Sequence, residues 1–169
     1  KRAEALEPMV AFQRSIGQVT GTQISQSGRK GRAAAAHEGG SHLDAGDASA
    51  WETVGPTDVA FDPDGTRLWR QPRALRVDDI QAIQAQFVQS AKLARDVGYD
   101  LLEVHCAHGY LLHSFLTNLV NTREDGYGGD LKGRARFLLE TVEKVRAVWP
   151  ENRVLSVRLS VHDFVDGGL

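Results

Sequence analysis

Hydrophobic spacing divides the chain into alternating helical and extended segments. The clearest helical stretch is "RVDDIQAIQAQFVQSAKLARDVGYD", where Ile80, Ile83, Phe87, Ala91, Ala94 and Val97 recur at i+3/i+4 between Asp78 and the stop at Gly98. A second is "LKGRARFLLETVEKVRAVW", with Phe137, Leu138, Thr141, Val142, Val145 and Val148 on one side and Pro150 beyond its end. A shorter helix is predicted over 4–16, where Leu6, Met9, Val10 and Phe12 precede Gly17. "GYLLHSFLTN" is long enough for one more short helix.

Between the helices lie three extended runs. "VTGTQIS" (19–25) is rich in β-branched residues and reads as a buried strand emptying into the turn-like "SGRKGR". "DLLEVHC" (100–106) follows the first long helix after a very short connection, and its mixed apolar character suits a strand buried on both faces. "RVLSVRLSV" supplies the third. From 31 to 77 no periodicity persists, and Gly, Pro, Asp and Ser recur, so this stretch is expected to be a long loop, either a functional lid or partly disordered. The glycine-rich "NTREDGYGGD" is a second, shorter loop.

Helix, strand, loop, helix, strand, loop, helix, strand is the alternation of a parallel α/β sheet. Three strands cannot close a barrel, and an eight-stranded barrel usually needs about 250 residues. Residues 1–169 are therefore expected to form one partial (β/α) barrel domain of three consecutive units, with the long loop at 31–77. A small, open, doubly wound sheet is the alternative. The chain begins at Lys1, with Met9 its sole methionine, which points to a piece of something longer.

Composition narrows the class. With 41% hydrophobic and 25% charged residues, a core is affordable in a globular domain. A net charge of −2 gives no basic field for nucleic acid or an anionic membrane, so a small-molecule partner is expected. No apolar run approaches the roughly 20 residues of a membrane span, and "KRAEALEPMVAF" has no apolar core of a leader. The single cysteine, Cys106, rules out an intrachain disulfide and makes a cytoplasmic location the expectation.

The chemistry gathers where strands end, which is where parallel α/β folds build sites. Gln23, Arg29 and Lys30 follow or close the first strand; His105, His108 and Tyr110 close the second; Arg158 and His162 close the third. His105 and His108 are spaced so that two imidazole N–H groups can aim at one oxygen and stabilise negative charge developing on it. A tyrosine phenol keeps its proton at neutral pH, so Tyr110 is a candidate general acid. Each has a plainer alternative: histidines bonded to nearby backbone, a tyrosine packed with its hydroxyl capped.

His105, Cys106, His108 and His113 also form a ligand-rich tract that raises zinc. Adjacent strand residues point to opposite faces, however, and neither CxxC nor HExxH is present, so Cys106 is read as a packing residue. Arg158 inside an apolar strand is expected to be buried and to need an anionic or electron-rich partner, a salt bridge or a cofactor ring. Gln23 offers a donor and an acceptor, suited to a flavin's pyrimidine edge or to an internal hydrogen bond. The carboxylates in "REDGYGGD" would repel phosphate, so that loop is read as a structural turn docking on the barrel.

"HCAHGYLLHSFLTNLVNTREDGYGG" resembles the H-x-A-H-G-Y-L-x-x-x-F-L-x-x-x-x-N-x-R-x-D-x-Y-G-G signature of the old yellow enzyme family, flavin-dependent ene-reductases. "RARFLLE" and "SVRLS" continue the register, and "QISQSGRK" is similar to the family's Q-x-x-H-x-G-R-K segment. The resemblance implies a TIM (β/α)8 barrel that holds FMN, takes hydride from NAD(P)H and passes it to the β-carbon of an activated alkene. Carried over, Gln23 and Arg158 would bind the flavin, His105 and His108 the substrate's activating oxygen, and Tyr110 would supply the α-carbon proton. Gln26, Asn118 and Gly133 depart from the family pattern at loop and turn positions. The family's first two and last three strands are not expected in this chain. Two other readings stand beside the enzyme: a non-catalytic fragment that works by pairing its open sheet edges with another chain, which includes a homo-oligomer, and a metal-dependent barrel hydrolase.

Overall fold

The computed structural model describes residues 2–35, 37, 40, 42–43, 51–61 and 69–169. In chain order its elements are α1 (Arg2–Ser15), β1 (Gly21–Ile24), β2 (Val54–Gly55), β3 (Arg73–Ala74), α2 (Val77–Val97), β4 (Leu101–Cys106), α3 (Leu111–Leu116), α4 (Leu131–Arg146) and β5 (Val154–Leu159), with a 3₁₀ turn at Gly28–Lys30. The alternation expected from the hydrophobic pattern is present. The boundaries follow local chemistry. Asp79 accepts from the Arg76 backbone N–H to cap the start of α2, Gly98 ends it at a φ of 101°, and Asp130 caps α4 by accepting from the Gly133 N–H at 2.8 Å.

β1, β4 and β5 form one parallel sheet in that order, with β4 in the middle. α2 connects β1 to β4 and α4 connects β4 to β5; α1 packs on α2, and α2 on α4. The helices thus lie on one side of the sheet, the winding of a barrel segment rather than of a doubly wound sheet. Alternation on β4 sends Leu102, Val104 and Cys106 into that helical layer, fully buried with Ile80, Phe87, Phe137 and Val145. Each such aliphatic side chain contributes about 1.5–3 kcal/mol by leaving water.

Three expectations need correction. β1 is not buried: its residues alternate between exposed and half-buried, because it is an edge strand. Arg158 is exposed, on the other edge strand, so burial imposes no need for a partner on it. The short helix expected over 4–16 is present as α1, in which Val10 is buried while Leu6, Met9 and Phe12 are exposed. The 31–77 stretch is not wholly irregular, since Thr53, Val54, Gly55 and Pro56 are buried and β2 pairs with β3. Residues 36, 38–39, 41, 44–50 and 62–68 of that expected loop lie outside the described residues. No helix among the described residues is long and apolar enough to cross a membrane.

Candidate active site

The sheet face opposite the helices is polar. Parallel register sets Gln23, Glu103 and Ser156 side by side across the three strands, and places Arg158 beside His105 one pleat further on. The Gln23 amide donates to Glu103 Oε1, and Ser156 Oγ donates to Glu103 Oε2 at 3.2 Å. Glu103 was not singled out from the sequence. Its signal was there: a carboxylate in an apolar strand, two residues before His105 and hence on the same face.

Three rings converge where β4 ends. His105 and His108 lie 5.0 Å apart between ring centroids at 74°, and Tyr110 lies 4.9 Å from His105 and 6.4 Å from His108. His105 is buried, and its Nδ1 accepts from the Ala107 N–H at 3.1 Å, so a neutral ring carries its proton on Nε2. Burial, helped by the neighbouring His108 and Arg158 charges, pushes its pKa below the usual histidine value and favours that neutral form. Tyr110 is half-buried, and among the described residues its hydroxyl has no hydrogen-bond partner. A neutral N–H donor, an exposed imidazole at His108 and a phenol with no bonding partner among the described residues are suited to gripping an oxygen and delivering a proton beside it.

The remaining candidates separate from this cluster. His113 is buried in α3; its Nδ1 accepts from the Gly109 N–H at 3.0 Å, and Nε2 lies 3.4 Å from Asp163 Oδ1. It ties α3 to the turn before it, and burial lowers its pKa against the opposing pull of Asp163. Arg29 donates to the Val59 and Ala60 carbonyls and Lys30 to the His108 carbonyl. His162 Nδ1 accepts from the Phe164 N–H at 2.7 Å. A cleft of about 540 Å³ opens beside His108, lined also by Lys30, Phe61, Ser160, His162 and Phe164.

His105 and Cys106 face opposite sides of β4, as strand alternation requires, and burial pushes the Cys106 thiol up to about 12. The "REDGYGGD" loop is a structural turn. Arg123 binds Asp125 and the Pro56 and Leu75 carbonyls, while Asn121 donates to the Phe115 and Tyr127 carbonyls. Gln26 folds the turn after β1, its side chain accepting from the Gly28 N–H and its carbonyl from the Leu111 N–H.

A family model described as the NADH:flavin oxidoreductase / NADH oxidase family matches residues 6–169. An NADPH dehydrogenase of Clostridium acetobutylicum is 36% identical over 167 residues, which is 99% of this chain and 44% of that protein. An NADPH dehydrogenase of Bacillus subtilis is 36% identical over 147 residues, 87% of this chain and 40% of its own length. Among solved structures, an Old Yellow Enzyme from Pichia sp. superposes with a TM-score of 0.79 at 27% identity, over 98% of this chain and 42% of that one. A 2-naphthoyl-CoA reductase superposes with a TM-score of 0.81 at 28% identity, over 99% of this chain and 25% of that one. The chain spans less than half the length of these relatives.

Proposed function

Since the chain belongs to the NADH:flavin oxidoreductase / NADH oxidase family, we propose that it is part of an FMN-dependent, NAD(P)H-oxidising enzyme of the ene-reductase type. Its substrate is a small activated alkene, an α,β-unsaturated carbonyl or nitro compound, and its setting is the cytoplasm. Residues 1–169, the 31–77 stretch included, make up one partial (β/α) barrel domain. The observation that carries the reading is the convergence of His105, His108 and Tyr110 at the carboxyl end of β4, beside the polar sheet face.

The donor set on that face fits a flavin. Gln23 spends an amide N–H on Glu103 and keeps its carbonyl oxygen as an acceptor, while Arg158 is exposed and supplies only donors. These two residues would hold the ring system, Gln23 at a polar edge and Arg158 where negative charge collects on reduction. Bound FMN would supply the hydride chemistry, accepting hydride from NAD(P)H and returning it to the alkene's β-carbon.

The chain's own residues do the rest. His105 Nε2–H and the His108 imidazole donate to the substrate's carbonyl or nitro oxygen, drawing electron density from the β-carbon and stabilising the charge that appears on the oxygen. Tyr110 releases its phenolic proton to the α-carbon and regains one from water, which its half-buried position admits. The protein containing this chain should purify yellow and release FMN on denaturation. A colourless protein that cannot be reconstituted with FMN would overturn the reading.

A further inference from the structure

We propose that Lys30 and Ser160 are positioning residues that aim His108 at the substrate oxygen; this rests on the function proposed above. His108 has a φ of +59°, a left-handed conformation that a residue with a Cβ rarely adopts, and Gly109 follows at +70°. The two together make the turn that swings the His108 ring to within 5.0 Å of His105. His108 lies outside any helix or strand and its imidazole is exposed. The Gly109 N–H donating to His113 Nδ1 at 3.0 Å and the Tyr110 N–H donating to the Ala107 carbonyl at 3.1 Å hold the residues after and around it, but neither bond engages the N–H or the carbonyl of His108 itself.

Both backbone groups of His108 are held by the segments that follow β1 and β5. Its N–H donates to Ser160 Oγ at 3.0 Å, just beyond β5, and its carbonyl accepts from Lys30 Nζ at 2.8 Å, in the 3₁₀ turn Gly28–Lys30 that follows β1. Lys30 is itself fixed: Nζ lies 4.0 Å from the centroid of the Phe61 ring, a cation–π contact. The backbone at Gly109 leaves little room, since a Cβ there would sit 3.0 Å from Nζ and 3.1 Å from Cε of the lysine. The connections that follow the two flanking strands thus clamp His108 from both sides and help set the position of one imidazole. Removing either clamp frees the turn to relax toward φ values that suit a histidine, carrying the ring away from His105.

The test uses the complete enzyme with three substitutions: Lys30→Met, which keeps the stem and removes the donor; Lys30→Arg, which keeps a donor; and Ser160→Ala. Crystal structures of the variants read the φ of His108, and steady-state kinetics read KM for 2-cyclohexenone. Lys30→Met is expected to move His108 out of the left-handed region and raise KM about tenfold, the size expected for one lost charge-assisted hydrogen bond. Lys30→Arg should restore most of both, and Ser160→Ala should shift both in the same direction as Lys30→Met. A Lys30→Met enzyme with His108 still left-handed and KM unchanged overturns the proposal. If the unmodified enzyme reduces no enone, the function proposed above falls, and the crystal structures still decide the clamp: a retained left-handed turn refutes it and a lost one supports it.

Discussion

Replacing Tyr110 by phenylalanine removes one oxygen atom, and the structure fixes what else that can change. Tyr110 precedes α3, but it serves the helix through its backbone, with the Ser114 N–H donating to its carbonyl at 2.8 Å. Its ring rests 4.9 Å from His105, a contact that phenylalanine keeps. Its hydroxyl bonds to no described residue, so stability should change by no more than about 0.5 kcal/mol. The chemical effect is far larger. A lost general acid costs typically 10²–10⁴ in rate, and because Tyr110 is half-buried, water replaces it in part. The lower half of that range follows, roughly 10²–10³, or about 3–4 kcal/mol of barrier. The loss should fall on one half-reaction. In stopped-flow experiments on the complete enzyme, NADPH should reduce the flavin of Tyr110→Phe at nearly the unmodified rate, while reoxidation by 2-cyclohexenone slows by that factor. Reoxidation at the unmodified rate would return Tyr110 to a packing role and give proton delivery to solvent.

Gly133→Ala should be poorly tolerated, because its Cβ would lie 2.0 Å from the Gly128 carbonyl oxygen, a backbone atom; a loss of about 1–3 kcal/mol by urea denaturation is expected, and an unchanged midpoint would refute the close approach. His105 and His113 have pKa values lowered by burial, so between those values and the ordinary histidine value of about 6.5 the unfolded chain binds more protons. Their contribution is complete above about pH 6.5 and is lost as pH falls through the native values, so the urea midpoint should drop on acidification and drop less with both residues changed to glutamine; a midpoint rising toward acid contradicts this. The 169-residue chain by itself should bind FMN weakly or not at all and associate through the open edges β1 and β5. Quenching of FMN fluorescence with sub-micromolar affinity, or a monomer on size exclusion, would refute the respective half of that statement.

The fold was legible where periodicity was strong. α2 appears within a residue or two of the limits set by its apolar face and Gly98, and α4 starts at Leu131 as its pattern predicts but ends at Arg146, three residues short of the predicted Trp149, since amphipathic spacing is local while the last turn before a proline frays early. Burial was less legible. β1 carries β-branched residues in alternation, yet whether a strand lies at the centre or the edge of a sheet depends on its neighbours, which no local pattern encodes. The same reason moved Arg158 from an expected burial to an exposed face. The histidine and tyrosine cluster was visible because its members lie within six residues of one another at one strand end. Glu103 was visible in principle through its two-residue phase with His105. Ser160 as a partner of His108 was not, because that contact joins residues 52 apart and exists only once β4 and β5 are in register.

The most direct test of the central claim is a sequential anaerobic titration of the complete enzyme, following the visible flavin band. NADPH should bleach the band at one equivalent per flavin, and one equivalent of 2-cyclohexenone should then restore it with formation of cyclohexanone. A bleached band that the enone leaves unchanged, but that oxygen restores, would contradict the assignment of His105, His108 and Tyr110 to alkene reduction.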